Sequence, residues 1–237
     1  MIYITGDTHG NIDNKKLNDI NFPIQKTLTK NDYVIVVGDM GIVWDDNDQK
    51  NQDFYNFRNF TTLFIDGNHE NFNKLYSFEE VDFKGGKAHK ISDSIYHLKR
   101  GQVFNINNLK IFTLGGANSI DYMYRIPFKS WWPQELPSEK EYEEAFNNLE
   151  KHNYKVDIVL THSAPYSYLP LINPLIKGNK LNKILDKIEK QLDYKAWFLG
   201  HYHKDIMLSN KIRVLYNDII SIDENLNIER YEGNRDE

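Results

Sequence analysis

The chain has 237 residues, a hydrophobic fraction of 40% and a formal net charge of -5, and it contains no cysteine. This composition allows a sizeable core but excludes a disulfide framework, thiolate zinc sites and cysteine nucleophiles. The acidic balance argues against non-specific binding to nucleic acid or anionic lipid, so we expect neither as a partner.

The N-terminal segment runs from Met1 into the motif Gly6-Asp7 without the basic and apolar regions of a signal peptide. No apolar run approaches the roughly 18 residues that a membrane helix requires. We therefore expect a cytoplasmic protein without a membrane partner. We also expect one domain over residues 1–232 and a short C-terminal tail over residues 233–237, because no linker, repeat or low-complexity stretch marks a boundary.

Five short runs rich in apolar and β-branched residues have the length of buried strands, and each ends in a polar cluster. They are Ile2–Thr5, Tyr33–Val37, Thr62–Ile65, Val156–Leu160 and Ala196–Leu199. Between them, patterns typical of helices cover Asn14–Ile20, Gln49–Asn59, Ser138–His152 and Leu181–Leu192. The third helix is predicted to begin with a capping box, because Ser138 is followed three residues later by Glu141.

A different pattern lies between the third and fourth of these strands. Alternating segments at Ile95–Leu98, Val103–Ile106 and Leu109–Leu114 are broken by Arg100-Gly101 and Asn107-Asn108, which predicts antiparallel hairpins. Four more short segments follow Tyr202, at Asp205–Leu208, Ile212–Leu215, Ile219–Ile222 and Ile228–Tyr231. Together the elements predict an α/β fold in which two mixed β-sheets pack as a sandwich flanked by helices.

Each predicted buried strand is followed by side chains that can bind metals. The turns carry Asp7 and His9, then Asp39, then Asn68 with His69 and Glu70, then His162, and finally His201 with His203. Ligands at the carboxyl ends of neighbouring strands meet at one edge of a sheet. Carboxylate, imidazole and amide ligands without sulfur suit Mn, Fe or Zn, and this number of ligands is enough for two divalent ions. Two ions roughly 3.5 to 4 Å apart would activate a bridging water for in-line displacement at phosphorus.

The ordered motifs resemble those of the calcineurin-like metallophosphoesterase superfamily: D-x-H from Asp7, G-D from Gly38, G-N-H-[DE] from Gly67, then His162, and G-H-x-H from Gly200. The resemblance spans most of the chain and implies a four-layer fold that hydrolyses phosphate esters with two divalent metal ions, for which Mn is our first expectation. It implies that one metal is held by Asp7, His9 and His203, that the other is held by Asn68, His162 and His201, and that Asp39 bridges them.

The same resemblance implies roles beside the metals. His69 would act as general acid or hold the phosphate near the leaving-group oxygen, and Glu70 would be a carboxylate that orients it. Asn68 would lie near the substrate as well as the metal. The aspartate that often ends the second motif of the superfamily is replaced here by Ile42, so the carboxylate that orients His69 stays open.

Arg125 lies in a segment, Gly115 to Pro133, that resembles a stretch in uncharacterised bacterial and phage members of the superfamily. The segment falls between the third and fourth ligand turns and could cover the site, so Arg125 is a candidate for gripping the substrate phosphate. Arg125 could equally pair with Asp121, four residues earlier on a helix. For Trp131 and Trp132 we favour packing over stacking on a nucleobase.

The leading hypothesis is a hydrolase that acts on a phosphate mono- or diester of a small molecule or nucleotide, by attack of a hydroxide that bridges the metals. Alternatives are a serine/threonine-type protein phosphatase, a nuclease, and a non-catalytic scaffold of the same fold. The protein phosphatase ranks lower because the arginines with which that group grips phosphate do not stand near Asp39 or before Gly67. We interpret His89, His97 and His152 as structural or solvated, and we make no prediction of the oligomeric state.

Overall fold

Two β-sheets form the centre of the fold in a computed structural model that describes residues 1–45 and 48–233. Numbered along the chain, their strands are β1 (Ile2–Thr5), β2 (Tyr33–Val37), β3 (Thr61–Ile65), β4 (Glu79–Phe83), β5 (Gly86–Ser92), β6 (Ile95–Leu98), β7 (Gln102–Ile106), β8 (Leu109–Leu114), β9 (Ile158–Thr161), β10 (Ala196–Leu199), β11 (Ile206–Met207), β12 (Ile212–Val214), β13 (Ile219–Ile222) and β14 (Ile228–Arg230). The strand order is β14-β13-β1-β2-β3-β6-β5-β4 in the first sheet and β11-β12-β10-β9-β8-β7 in the second.

Parallel strands occupy the middle of each sheet. In the first sheet β1, β2, β3 and β6 run parallel, with Ile4 beside Ile35 and Ile35 beside Leu63. In the second sheet β8, β9, β10 and β12 run parallel, with Leu160 beside Phe198. Parallel neighbours end at the same edge, so the turns that follow them lie side by side.

Five α-helices flank the sheets within the described residues. They are α1 (Asp48–Asn56), α2 (Phe72–Leu75), α3 (Glu139–Lys151), α4 (Leu169–Ile172) and α5 (Lys180–Gln191), and short 3-10 turns cover Asn14–Leu17, Pro23–Thr27, Tyr122–Tyr124, Pro133–Glu135 and Tyr166–Tyr168. The predicted capping box of α3 is confirmed: Glu141 N donates to Ser138 Oγ at 3.3 Å, and Ser138 N donates to Glu141 Oε2 at 2.7 Å. Each bond satisfies an N–H group that the helix itself leaves free.

Alternating side chains divide the core into layers, because successive residues of a strand face opposite sides of its sheet. Ile35 of β2 faces the space between the sheets and packs in one cluster with Leu160 of β9. Its neighbour Val36 faces outward, in a second cluster with Phe22. The outer side of the second sheet packs against α3 and α5 in a third cluster. The predicted α/β fold of two mixed sheets with flanking helices is therefore confirmed.

Some local predictions are wrong. The helix predicted over Asn14–Ile20 is a single 3-10 turn, because Asn18 Oδ1 accepts hydrogen bonds from the backbone N atoms of Ile20 and Asn21 and ends it. The break at Arg100-Gly101 is not a hairpin, because β6 belongs to the first sheet and β7 to the second. Arg100 is buried in an ion pair with Asp66 rather than exposed at a turn.

Other local predictions are confirmed. Asn107-Asn108 joins the antiparallel strands β7 and β8, with φ of 51° and 64°, the signature of a tight hairpin turn. The fourth strand, which was predicted over Val156–Leu160, is present as β9 but begins at Ile158, two residues later than predicted. The domain limits stay a prediction, and residues 234–237 of the predicted tail lie outside the described residues. No helix of the described residues is long and apolar enough to cross a membrane.

Candidate metal centre

The predicted ligands lie in the turns after five parallel strands from both sheets. Asp7 and His9 follow β1, Asp39 follows β2, Asn68 and His69 follow β3, His162 follows β9, and His201 and His203 follow β10. His162 Nε2, from the second sheet, lies 3.3 Å from Asp39 Oδ2, from the first. The turns of the two sheets therefore meet at one end of the sandwich.

Three groups of side chains in these turns place their nitrogen and oxygen atoms within 4.8 Å of one another. They are Asp7 with His9 and His203, His9 with Asp39 and His69, and Asp39 with His162 and His201. His203 Nε2 lies 3.2 Å from Asp7 Oδ2, and His9 Nε2 lies 3.4 Å from Asp39 Oδ2. Because His9 and Asp39 each belong to two groups, the three groups form one continuous cluster.

The backbone that carries these side chains is strained. The angle φ is 43° at His9, 50° at Asp39, 70° at His201 and 50° at His203. Residues other than glycine enter this left-handed region uncommonly, and such strain concentrates at functional sites. Gly38 has φ of 96°, and a Cβ at this position would lie 2.1 Å from His162 Nδ1. The close approach of the two turns therefore requires glycine at this position.

A second set of residues fixes the imidazole rings nearest Asp7. His9 Nδ1 lies 2.8 Å from Asp13 Oδ2, which leaves its Nε2 facing Asp39. Tyr216 donates its hydroxyl to Asp13 Oδ1 at 3.0 Å. The ring of Tyr216 stacks on His203, with centroids 4.6 Å apart and planes 11° apart. Carboxylates that hold one nitrogen of a histidine in this way orient the other nitrogen toward a metal.

Two buried ligand atoms have no hydrogen-bond partner among the described residues, Asn68 Oδ1 and His162 Nε2. The other polar atom of each side chain is engaged. Asn68 Nδ2 donates to Ser119 Oγ at 3.1 Å, and His162 Nδ1 donates to Val37 O at 2.7 Å. His162 thus presents its Nε2 to Asp39 at 3.3 Å, and the Oδ1 of Asn68 is a buried acceptor that a cation would satisfy, so the residues present fit a metal site.

The charges of the cluster are strongly coupled. Burial alone raises the pKa values of Asp7 and Asp39, but the charge of His162 and hydrogen bonds from histidines outweigh burial and lower both. Burial lowers the pKa of His162, but Asp39 and Asp7 raise it to about 10. Burial and the charge of His162 lower the pKa of His201 to about 4. A positive charge thus compensates two buried carboxylates, and a divalent cation supplies positive charge at the same place.

The sequence matches the family model for calcineurin-like phosphoesterases over residues 1–205. The chain belongs to the calcineurin-like phosphoesterase family. Membership implies metal-dependent hydrolysis of phosphoesters in general, and the family typically binds divalent metals. The resemblance inferred from the ordered motifs is thereby confirmed. No curated protein matches the chain significantly.

His69 of this calcineurin-like phosphoesterase lies between Asp39 and Arg125. Its backbone N donates to Asp39 Oδ1 at 2.7 Å, and its ring Nδ1 lies 3.4 Å from Arg125 Nη1. A guanidinium offers only donors, so Nδ1 accepts and Nε2 carries the proton of the neutral ring. Burial lowers the pKa of His69, and the charge of Arg125 lowers it further against the opposing effect of Asp39.

Glu70 does not make the contact that we expected. It is fully buried, and its Oε1 accepts a hydrogen bond from Met40 N at 2.9 Å. Its Oε2 has no hydrogen-bond partner among the described residues. Burial and the charge of Asp39 raise the pKa of Glu70 well above its usual value. Glu70 therefore fastens the turn after β2, and the side chain that contacts the ring of His69 is Arg125.

Arg125 combines the two arrangements that the sequence left open. Its Nε donates to Asp121 Oδ1 at 2.9 Å, while its Nη1 approaches His69. The pair spans the 3-10 turn Tyr122–Tyr124 rather than the α-helical turn that we expected. Trp132 is buried with its ring edge-on to Trp44, so the packing prediction is confirmed for Trp132. Trp131 is half-buried beside Tyr122, with ring centroids 5.7 Å apart.

Several supporting residues were not predicted from the sequence. Lys16 donates to Asp7 O at 2.7 Å and Gly6 O at 3.0 Å, and also to Tyr216 O. Burial lowers its pKa to about 8. Asp13 stands four residues after His9, a spacing that could have indicated it, whereas Tyr216 is remote in the chain and carries no local signal.

The other histidines lie outside the three groups. His89 and His97 are buried on neighbouring strands, with their Nδ1 atoms 3.0 Å apart. His97 Nε2 lies 3.1 Å from Asp66 Oδ1, and Asp66 Oδ2 accepts from Arg100 Nε at 2.8 Å. His152 follows the last residue of α3. These placements agree with the structural or solvated roles that we predicted.

Proposed function

We propose that this calcineurin-like phosphoesterase hydrolyses phosphate mono- or diesters of small molecules or nucleotides at a site for two divalent cations. The observation that carries the proposal is the buried Asn68 Oδ1, which has no hydrogen-bond partner among the described residues, together with the cluster in which His162 Nε2 lies 3.3 Å from Asp39 Oδ2. A buried polar atom without a partner costs about 1–3 kcal/mol, which a bound cation would recover.

We assign the ligands in two sets that share one carboxylate. Asp7, His9 and His203 would hold one cation, Asn68, His162 and His201 would hold the other, and Asp39 would bridge them. The proximity of Asp7 to His9 and His203, and of Asp39 to His162 and His201, supports the assignment. For Asn68 the support is its buried Oδ1, which has no partner among the described residues. Carboxylates, imidazoles and one amide without thiolate suit Mn, with Fe or Zn as alternatives. Bound cations would polarise the phosphoryl group and lower the pKa of a coordinated water toward neutrality, which supplies the nucleophile.

His69, whose ring lies beside His9 and Asp39, and Arg125, which contacts that ring, would hold the phosphoryl group. Since Nδ1 of His69 faces Arg125, its Nε2–H is free to donate to an oxygen of the ester. To protonate the leaving oxygen as general acid, the ring would first take up a second proton at Nδ1. An approaching phosphomonoester dianion would favour this by raising the pKa of the ring, and Nη1 of Arg125 would turn from Nδ1 to the dianion. Nε of Arg125 is occupied by Asp121, so its Nη atoms would contact the phosphate.

The test is hydrolysis of p-nitrophenyl phosphate and of bis-p-nitrophenyl phosphate by the purified protein with Mn²⁺. We expect Asp39→Asn and His69→Ala to lower the rate by about 100-fold or more. Asp93→Asn and His152→Ala are matched controls, because they change the same chemical groups outside the cluster. Equal rates for Asp39→Asn and Asp93→Asn would refute the mechanism.

The same measurements separate the remaining alternatives. The ratio of the two rates reports the preference for monoester or diester. Cleavage of DNA but not of either small ester would favour a nuclease. A wild-type protein with no bound metal by elemental analysis and no hydrolysis of any ester would favour a non-catalytic scaffold.

A further inference from the structure

The loop that carries Arg125 exposes an unusual number of large apolar side chains. Six of them are between 46% and 93% exposed: Ile120, Tyr122, Met123, Tyr124, Ile126 and Phe128. We call these six residues the apolar lip. Exposed apolar groups concentrated in one segment mark a binding surface, because water is displaced from them when a ligand covers them.

The lip is fixed to residues of the proposed site just before it begins and in its middle, and a bond within the loop closes its far end. Before it, Ser119 Oγ accepts a hydrogen bond from Asn68 Nδ2 at 3.1 Å. Within it, Arg125 Nη1 lies 3.4 Å from His69 Nδ1, and after it Ser130 O accepts from the same Nη1 at 3.3 Å. Consecutive Cα atoms are about 3.8 Å apart, so the lip residues that flank Arg125 are within a few residues' reach of His69.

The loop is built to keep Phe128 exposed. Its φ is 59°, a left-handed value that is a genuine outlier for a bulky residue. The surrounding turn holds this conformation through hydrogen bonds from Phe128 N to Trp131 O at 2.7 Å and from Ser130 N to Ile126 O at 2.9 Å. Strain of this kind persists only where the surrounding structure enforces it. The ring is thus held toward solvent instead of packing in the core.

We propose that the lip binds the aromatic part of the leaving group, such as the base of a nucleoside, in an ester whose phosphoryl group lies at His69 and Arg125. The inference rests on the proposed function and names its substrate class. Three lip residues are aromatic, Tyr122, Tyr124 and Phe128, and such rings stack on planar groups regardless of their hydrogen-bonding pattern. An anionic membrane fits the lip less well, because the chain carries a net charge of -5.

Adenosine 5′-monophosphate and ribose 5-phosphate test the inference directly, because they share the phosphate and the ester oxygen and differ in the base. Each is measured as a substrate and as a competitive inhibitor of p-nitrophenyl phosphate hydrolysis with Mn²⁺. We expect the wild-type protein to prefer the nucleotide by about 5- to 10-fold in kcat/KM or Ki. This factor corresponds to the lower part of the range for stacking a base on an aromatic side chain, because the rings of the lip are exposed.

Variants of the lip should reduce this preference. Tyr124→Leu and Phe128→Leu keep the side chains apolar but remove the rings. Each should therefore reduce the ratio of the kcat/KM values, or of the Ki values, for the two ligands, and the double variant should reduce it further. Tyr124→Phe keeps the ring and should keep the preference. Phe57→Leu is the matched control, because Phe57 is 83% exposed but precedes β3, at the edge opposite the ligand turns.

Several results would overturn the inference. Equal kinetics for the two ligands in the wild-type protein, or a preference that survives the Tyr124→Leu/Phe128→Leu double variant, would remove it while hydrolysis of p-nitrophenyl phosphate still supports the proposed function. No hydrolysis of any ester with Mn²⁺ would remove both. A dimer in sedimentation, or binding to phosphatidylglycerol vesicles, that the double variant abolishes would assign the lip to a second copy or to a membrane instead.

Discussion

Replacing Ser119 by alanine removes the group that holds the side chain of Asn68. Ser119 is 2% exposed, and its Oγ accepts the hydrogen bond from Asn68 Nδ2 at 3.1 Å. The backbone bond from Ser119 N to Glu135 Oε2, at 3.1 Å, does not depend on the side chain. In Ser119→Ala the loop therefore keeps its anchor, while the amide of Asn68 loses its partner and is free to turn Oδ1 away from the cluster.

The magnitude follows from these contacts. Removing a residue that orients a metal ligand weakens metal affinity about 10- to 100-fold, which is about 1.4–2.8 kcal/mol. The buried N–H of Asn68 left unpaired costs about 1–3 kcal/mol of folding free energy. We expect calorimetric titration of metal-free Ser119→Ala with Mn²⁺ to give a Kd higher by this factor, together with a lower melting temperature.

A comparable pair of side chains provides the control. Ser92 Oγ donates to Asn56 Oδ1 at 2.6 Å. Ser92 pairs with Ile95, and Ile95 lies beside Thr62 near the start of β3. Because the ligands follow the ends of the strands, this pair lies at the opposite edge of the sheet. Ser92→Ala should lower the melting temperature without changing the Kd for Mn²⁺. Folded Ser119→Ala with wild-type affinity for Mn²⁺ would refute the assignment of Asn68 as a ligand oriented by Ser119.

Three further measurements test other parts of the structure. Gly38→Ala places a Cβ 2.1 Å from His162 Nδ1, whereas the nearest atom to a Cβ at Gly85, which has a similar φ, is 4.0 Å away. In urea denaturation Gly38→Ala should lose about 1–3 kcal/mol more of the free energy of unfolding than Gly85→Ala, and equal losses would contradict the packing. Mn²⁺ at about 100 times its Kd should raise the free energy of unfolding by about 2.7 kcal/mol in the wild-type protein but much less in Asp39→Asn, and a chelator should reverse the gain. Burial and His97 lower the pKa of His89 to about 3, so the neutral ring stabilises the fold above about pH 6.5 and this stability is lost as the pH falls. Between pH 7 and pH 5 the free energy of unfolding of His89→Gln should therefore fall by about 1–2 kcal/mol less than that of the wild-type protein.

The sequence predicts the strands at the site better than those away from it. Residues of β1 and β2 are buried throughout, because both faces of each sheet are covered, and continuous apolar runs are easy to recognise. The edge strand β4 is largely exposed, so Glu79–Phe83 carries no apolar face that could predict it. The sequence also could not show that β6 joins the first sheet. The ion pair of Arg100, which follows β6, with Asp66, which follows β3, joins residues that no local pattern connects.

Ligand side chains are easier to predict than the residues that hold them. A ligand needs a particular chemical group directly after a strand, so it leaves a motif such as Asp7-Thr8-His9. A supporting residue needs only to reach the ligand in space, as Ser119 reaches Asn68 and Tyr216 reaches Asp13. Ser119 and Tyr216 are distant in sequence from the side chains that they hold, and only the fold brings them together.

The carboxylate of Asp39 couples the site to the packing of both sheets. It accepts from His69 N at 2.7 Å, lies 3.4 Å from His9 Nε2 within the first sheet's turns, and lies 3.3 Å from His162 Nε2 of the second sheet. Burying this charge is costly unless positive groups surround it. A cation that binds Asp39 and His162 together would therefore also hold the two sheets together at this end, and its removal should loosen the turns of both sheets at once.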